Sequence, residues 1–396
     1  MVAQSIPLLG SLVIARLYSP ADFGMFSAWL GMVLLAGVVI TGRFEMALAV
    51  EPDGEPRRFA MAATLATIVL ASGTLAALAT VIYFGSSALG GVSPLLVLLF
   101  VPATLLTGVI HSWQAWAAAE GNYKGLSWIR IVQALIITSA QIGMGLAEPS
   151  AFGMALGHAL GLLTGICFSA TLMPLNPLPV HDVRKFRTSL KAFWVSQRRF
   201  PMLALPADTI NSAAGQLPLL LIASRFGAEA SGLFALALRV LGAPIGLLGA
   251  AVLDVFKRRA ASSYREKGDC RDEYLRVFRL LAAGGALLAV GAFFLAENVF
   301  VVAFGEPWRR AGTLAVWLMP MFAMRFVASP LSYVFYIAGK QQIDLVWQCA
   351  LLAMTIATFM VPVDFEAAVK LYAAGYGGLY VVYTALSYHY SKGAAK

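Results

Sequence analysis

With 396 residues, 60% of them hydrophobic and 12% charged, this chain has too little polar surface to fold as a domain in water. A mean hydropathy of +0.78 requires the bilayer as solvent. The 29 Lys and Arg against 20 Asp and Glu leave a formal charge of +9, and the distribution of those charges, described below, excludes nucleic acid as the partner.

Twelve apolar segments follow one another at 2–17, 23–48, 60–84, 94–118, 126–147, 151–173, 202–224, 230–254, 278–303, 309–337, 342–362 and 367–389. Most are long enough to cross a hydrocarbon core of ~30 Å as a helix. The stretches 60–83, 94–118, 280–296 and 345–363 carry no charge at all. The first segment is short and begins almost at Met1, so it is either a minimal span or the remainder of a longer one. No basic stretch and cleavage site mark a signal peptide. Between the sixth and seventh segments lies a polar linker with Pro174, Pro177 and Pro179, then a basic run from Arg184 to Arg199. Within it Phe186, Leu190, Phe193 and Trp194 fall on one side of a helix, which predicts an amphipathic element lying in an anionic interface. The expected organisation is a six-helix lobe over 1–173, a basic cytoplasmic linker over 174–200 and a second six-helix lobe over 201–396. Pro102, Pro206, Pro244, Pro320 and Pro330 fall inside predicted spans, as static kinks or as points where a helix can bend.

The charges fix an orientation. With the N-terminus inside, the inner loops hold Arg57, Arg58 and Lys124, six basic residues from Arg184 to Arg199, seven from Lys257 to Arg276, and Lys340, Lys392 and Lys396. The outer loops hold only Arg16, Arg225, Arg309 and Arg310. That bias is the positive-inside pattern, with both termini in the cytoplasm. Cys167, Cys270 and Cys349 are isolated, so neither a disulfide framework nor a metal site is implied.

The chain also repeats itself. Pro7-Leu8-Leu9, Arg16 and Gly24-Met25-Phe26 are echoed by Pro218-Leu219-Leu220, Arg225 and Gly232-Leu233-Phe234. Pro102 and Gly121 have the same spacing as Pro320 and Gly339, and Trp128 and Trp347 follow. Six spans per half make the repeats parallel, about an axis near the membrane normal. Arg43 and Arg239 have no counterpart in the other half, and Arg325 aligns with an uncharged stretch near Thr107.

Ala15-Arg16-Leu17-Tyr18-Ser19-Pro20-Ala21-Asp22-Phe23-Gly24 resembles the first-loop signature of bacterial lipid-linked oligosaccharide flippases, the Wzx-type O-antigen and exopolysaccharide translocases. Gly42-Arg43-Phe44-Glu45-Met46-Ala47, Val255-Phe256, Phe304-Gly305-Glu306-Pro307-Trp308 with Ala311-Gly312, and Ser329-Pro330-Leu331-Ser332 are similar to that family too. The resemblance implies the multidrug/oligosaccharidyl-lipid/polysaccharide exporter superfamily. It carries an all-α polytopic fold of about twelve transmembrane helices, in two lobes forming a V around a central cavity. It further implies a bacterial inner-membrane flippase, not an enzyme and without cofactor, that moves undecaprenyl-diphosphate-linked oligosaccharide outward by alternating access for cell-surface polysaccharide. Membrane lipids would surround it, and the polymerase and glycosyltransferases of the same pathway would be its partners.

A polyprenyl diphosphate is at least dianionic, and guanidinium groups bind phosphate oxygens through charge-assisted, often bidentate bonds. Intramembrane charge is expensive and normally faces a cavity or a partner. Arg43, Arg239 and Arg325 are therefore the candidates for the diphosphate, the alternative being ion pairs of Arg239 or Arg325 with Asp208 or Glu45. Arg130, Arg279 and Lys370 lie near span ends, where snorkelling explains them. Gln114, Asn211 and Tyr333 lead the candidate glycan contacts, alongside Trp113, Trp116, Gln133, Gln141, Gln216 and Tyr336, each of a type also common in helix packing. Glu45 and Asp208 are the candidate groups for ion coupling, and His111 and His158 are expected as packing histidines. A drug or cation antiporter of the same superfamily would carry more intramembrane acids than bases. A membrane-embedded glycan polymerase or ligase would need a large outer loop, which this sequence lacks.

Overall fold

The computed structural model describes residues 2–85, 93–174 and 183–393; Pro177, Pro179 and Lys396 lie outside them. The described residues are overwhelmingly helical: α1 Val2–Leu17, α2 Pro20–Ile40, α3 Glu55–Gly85, α4 Pro94–Ala119, α5 Tyr123–Ala147, α6 Ala151–Leu172, α7 Val183–Ser196, α8 Leu205–Lys267, α9 Arg271–Phe304, α10 Arg309–Leu331, α11 Val334–Ile337, α12 Gln341–Met360 and α13 Phe365–Ser391. Among them nine helical stretches are long and apolar enough to cross a membrane, and a tenth, Ala3–Leu17, is apolar but shorter. The twelve predicted segments fall on α1 to α6, two arms of α8, α9, α10, α12 and α13. Several helices run on into polar residues, α9 starting at Arg271 and α3 at Glu55, because backbone hydrogen bonding does not stop where hydropathy does.

One boundary differs from the sequence expectation. The second span does not continue to residue 48. Thr41 Oγ1 bonds back to the Val38 carbonyl at 2.9 Å and accepts the Arg43 N–H at 3.2 Å. Gly42 and Arg43 then take positive φ of 55° and 58°, a left-handed stop that only glycine adopts freely. Phe44–Ala49 follow as a 3-10 helix. The seventh and eighth segments are the two helical arms of α8, which meet where Gly227 has non-helical φ 87° and ψ 175°, between the expected ends at 224 and 230. In the first repeat the same place is the break between α1 and α2 at Tyr18-Ser19.

The chain divides into two compact units: residues 1–18 with 25–216, and residues 19–24 with 217–396. In the first, α5 packs on α6 and α1, and α4 on α3 and α6. Its largest core cluster joins Phe44 and Leu48 of the 3-10 turn, Met61 of α3, Trp113 and Trp116 of α4, Leu190 and Phe193 of α7, and Phe200. The expected amphipathic helix is therefore present as α7. Its apolar side is covered by protein rather than lying on a lipid interface, since a ready seat of aromatic rings removes that surface from water. Trp194 Nε1 donates to Thr67 Oγ1 at 2.9 Å and Gln197 Nε2 to Glu51 Oε1 at 2.6 Å, which fixes the docking.

In the second unit α10 packs along α9 and α13, and α12 along α13. Arg225 Nη1 and Nη2 donate to the Phe359 and Val363 carbonyls at 2.6 and 3.0 Å, satisfying acceptors that the end of α12 leaves open. The two repeat glycines meet here. A Cβ on Gly24 would lie 1.8 Å from the Ala228 carbonyl oxygen, and one on Gly232 would lie 1.8 Å from that of Pro20. The register is reciprocal, each glycine facing the carbonyl four residues before the other, so the helices touch backbone to backbone.

Candidate functional site

The left-handed turn after α2 positions the most heavily constrained cation of the first unit. Arg43 is the one non-glycine residue with positive φ among the described residues, a conformation that costs an L-residue about 1–2 kcal/mol and that gathers at functional positions. Its Nη1 donates to Glu45 Oε1 at 2.7 Å. Its Nε lies 2.7 Å from Asp208 Oδ2, but the N–H is not aligned for a hydrogen bond, so that contact is Coulombic. Glu45 is buried, while the Asp208 side chain, on the first turn of α8, is 36% exposed. The Glu45 carboxyl lies outside the membrane-crossing helix. Burial pushes its pKa above the ordinary range, and Arg43 beside it pulls the other way without cancelling the shift.

This group borders a cavity of about 480 Å³ lined by Arg43, Glu45, Met46 and Ala49 of the turn, His111, Gln114, Ala115, Ala118 and Ala119 of α4, and Leu126 and Arg130 of α5. Arg130 Nε donates to Gln114 Oε1, and Gln114 Nε2 to Gln133 Oε1, each at 3.3 Å. The walls are mostly apolar, and the Arg43 side chain, 24% exposed, and the exposed Arg130 are both accessible to an anion in that space. Two bases and one acid face the space.

The sequence candidates thus fall into separate places. Arg43, Glu45, Asp208 and Gln114 are gathered at one site in the first unit. Asn211 follows Asp208 on α8 by three residues and is exposed. Arg239, Arg325 and Tyr333 belong to the second unit. Arg239 stands 5.2 Å over the Phe23 ring, which is packed edge-on against Trp308; among the described residues it pairs with no carboxylate. Arg325 is exposed on α10 and likewise unpaired among them. Asp208 and Glu45, considered above as partners for these two arginines, are both engaged by Arg43. Tyr333 stacks on Tyr336 at 5.6 Å and carries Lys257 over its ring at 5.0 Å.

Sequence reasoning passed over two lining residues. Arg130 reads as a snorkelling cation, yet its guanidinium turns to Gln114, and His111 reads as packing yet lines the cavity. Their spacing was the available signal, since His111 and Gln114 are three apart, as are Arg130 and Gln133, each pair on one helix face. A second omission is the aromatic stripe Tyr372, Tyr376, Tyr380 and Tyr383 on α13. All four are buried, and consecutive ring centroids are 5.3, 5.2 and 6.5 Å apart; the 4-4-3 spacing displays it.

Known proteins share this architecture. A multidrug resistance MATE family transporter of the MOP superfamily, in an inward-facing conformation, superposes with a TM-score of 0.71 at 13% identity, over 97% of this chain and 93% of that one. The lipid II flippase MurJ, inward closed, gives 0.71 at 13% over 97% and 85%. Identities this low establish the fold alone. Teichuronic acid biosynthesis protein TuaB of Bacillus subtilis strain 168 is 23% identical over 179 residues, 45% of this chain. The match spans only 35% of that protein's length. The sequence model described as "Polysaccharide biosynthesis protein" matches residues 13–312. The chain is a multi-pass membrane protein with an all-helical transporter fold, and it belongs to the polysaccharide biosynthesis protein family.

Proposed function

We propose that this protein is a flippase that carries undecaprenyl-diphosphate-linked oligosaccharide from the cytoplasmic to the outer leaflet of the bacterial inner membrane. In this reading both termini are cytoplasmic, and the glycan serves a cell-surface polysaccharide. The observation that carries it is the cavity of the first unit with two arginines at its edge. Arg43 is strained, oriented by two carboxylates and set beside Arg130, in an apolar-walled space of about 480 Å³. Such a site suits a diphosphate, whose oxygens accept from the forked guanidinium donors. Gln114 offers a polar contact next to it, and Asn211 and Tyr333 remain candidate glycan contacts. Arg239 and Arg325, free of carboxylates among the described residues, are the second unit's contribution to anion handling. The reading needs no nucleophile and no cofactor, because translocation makes and breaks no covalent bond.

Family membership supports the reading, as do the likenesses to a lipid II flippase and to a teichuronic acid biosynthesis protein. A drug or cation antiporter would call for more acids than bases around the cavity, whereas here Arg43 and Arg130 equal Glu45 and the adjoining Asp208 in number. The test is accumulation of lipid-linked oligosaccharide on the cytoplasmic face in cells carrying single variants. Losing one charge-assisted contact of about 1.5–3 kcal/mol lowers flipping roughly tenfold or more, so Arg43→Ala is expected to accumulate the intermediate. If Arg43→Ala, Arg239→Ala and Arg325→Ala all flip like wild type, the assignment is lost.

A further inference from the structure

One side chain of the cavity is held more firmly than diphosphate binding requires. Gln114 Oε1 accepts from Arg130 Nε, and its Nε2 donates to Gln133 Oε1, each at 3.3 Å. Those two partners fix which way the amide points. A carboxamide has two hydrogens and two lone pairs, so Gln114 keeps one donor and one acceptor after these bonds, and it borders the cavity. His111, three residues earlier on α4, borders it too, on the same helix face. In its neutral form an imidazole adds one donor and one acceptor.

The remainder of that face is small and apolar. His111, Gln114, Ala115 and Ala118 follow one another at helical spacing along one stripe, and all four line the cavity, with Ala49 and Met46 of the turn alongside. A sugar hydroxyl pressed on the alanines would lose water with no partner in its place, whereas a methyl group gains from the same contact. With the arginines turned to phosphate and Glu45 accepting from Arg43, the recognition left to this wall is two polar side chains beside a methyl-sized apolar patch.

Arg130 sets which part of the substrate meets the wall. It is hydrogen-bonded directly to Gln114, so a ligand with its phosphate at the arginines presents to Gln114 the atoms next to the phosphate ester. In a glycosyl diphosphate those atoms are C1 of the first sugar and the substituent on C2. An acetamido group at C2 has a carbonyl that accepts, an N–H that donates and a methyl group. Its C=O and N–H point in opposite directions across a planar trans amide, so it calls for two separate partners, as Gln114 and His111 are.

We infer that this cavity selects a diphosphate whose first sugar carries a 2-acetamido group. Gln114 Nε2 donates to the acetyl carbonyl, His111 accepts the N–H, and the methyl group rests on Ala115 and Ala118. Gln133 is a positioning residue that holds the Gln114 amide. The inference rests on the diphosphate reading and adds to it the class of sugar attached to the diphosphate and the side chains that recognise it.

The test is calorimetry on the full-length protein in lipid nanodiscs, with two short-chain prenyl diphosphates as probes, one carrying N-acetylglucosamine and the other glucose. They share the diphosphate and differ only at C2, so the ratio of their affinities reads the sugar alone, even where a variant also disturbs Arg130. Wild type is expected to prefer the N-acetylglucosamine probe roughly tenfold or more, the size of effect that one or two hydrogen bonds and a methyl contact give. Gln114→Leu and His111→Phe are each expected to cut that preference to about threefold or less, and thermal unfolding identifies any variant that fails to fold. Equal binding of the two probes by wild type, or a full preference surviving in either folded variant, overturns the acetamido reading and leaves the diphosphate site standing. No binding of either probe to wild type, or undiminished binding to Arg43→Ala, overturns the diphosphate placement and the sugar reading with it.

Discussion

Side chains are absent where the tightest contact in the second unit is made. Gly24 and Gly232 each point at a backbone oxygen that a Cβ would meet at 1.8 Å, and backbone cannot rotate away as a side chain would. Gly24→Ala and Gly232→Ala are each expected to destabilise the protein by about 1–3 kcal/mol or more, as overpacking does. Gly143, with nothing within 4 Å of its would-be Cβ, should accept Ala with little change or a small gain. Thermal unfolding of the purified variants decides it, and equal melting of Gly24→Ala and Gly143→Ala would remove the argument. Both glycines stand out in the sequence because they recur at matched places. Arg43 stands out too, but its conformation does not. Nothing in Gly42-Arg43-Phe44 announces that two successive residues turn left-handed, since arginine is a poor choice for positive φ; Thr41 Oγ1 accepts its N–H, and Glu45 and the distant Asp208 face its guanidinium. The contact with Asp208 joins residues 165 positions apart in sequence, beyond the reach of any local pattern.

Helices were readily legible, because twenty apolar residues in a row have few alternatives in a membrane. Their ends were less so. Hydropathy carries the second span eight residues past its end, because Phe44, Met46 and Leu48 of the 3-10 turn continue the apolar pattern. The break between the two arms of α8 is legible, because Gly227 interrupts the apolar run where the helix leaves its φ/ψ region. Beside that break, Arg225 holds two carbonyls at the end of α12. From sequence it counts only as an outer-loop charge. Each hydrogen bond from a charged donor contributes about 1.5–3 kcal/mol, so Arg225→Ala is expected to lower the unfolding midpoint clearly. Arg225→Lys should recover little of it, because an ammonium group cannot reproduce the two-pronged fork. Wild-type melting of Arg225→Lys would show that the charge alone matters. The helix α7 was legible as amphipathic, but periodicity reports only that one face is apolar, and the aromatic seat that covers it comes from residues 44 to 116.

For the molecule as a whole, hydropathy and charge carried most of the information. The duplication and the span count follow from a pattern spread over hundreds of residues, which is why they survive errors at individual boundaries. The candidate site followed the opposite rule. Its members come from the turn after α2, the second half of α4, the start of α5 and the start of α8; Glu45, Asp208 and Gln114 are legible only by residue type, and Arg43 also by the family-like motif around it. The charge bias also makes an orientation prediction. A fluorescent protein fused to the C-terminus should fluoresce, whereas alkaline phosphatase fused there should be inactive, since each reports the side of the membrane on which it folds. The reverse pattern would invert the topology and the direction of transport proposed with it.

The reciprocal glycine contact has a consequence for heredity. Each of the two positions is screened by the main chain of the other's helix, and no mutation alters a carbonyl oxygen. A side chain gained at either position therefore cannot be excused by a second change at its neighbour. The two codons behave as a single inherited character, free to drift everywhere around themselves and able to change only if the helices part.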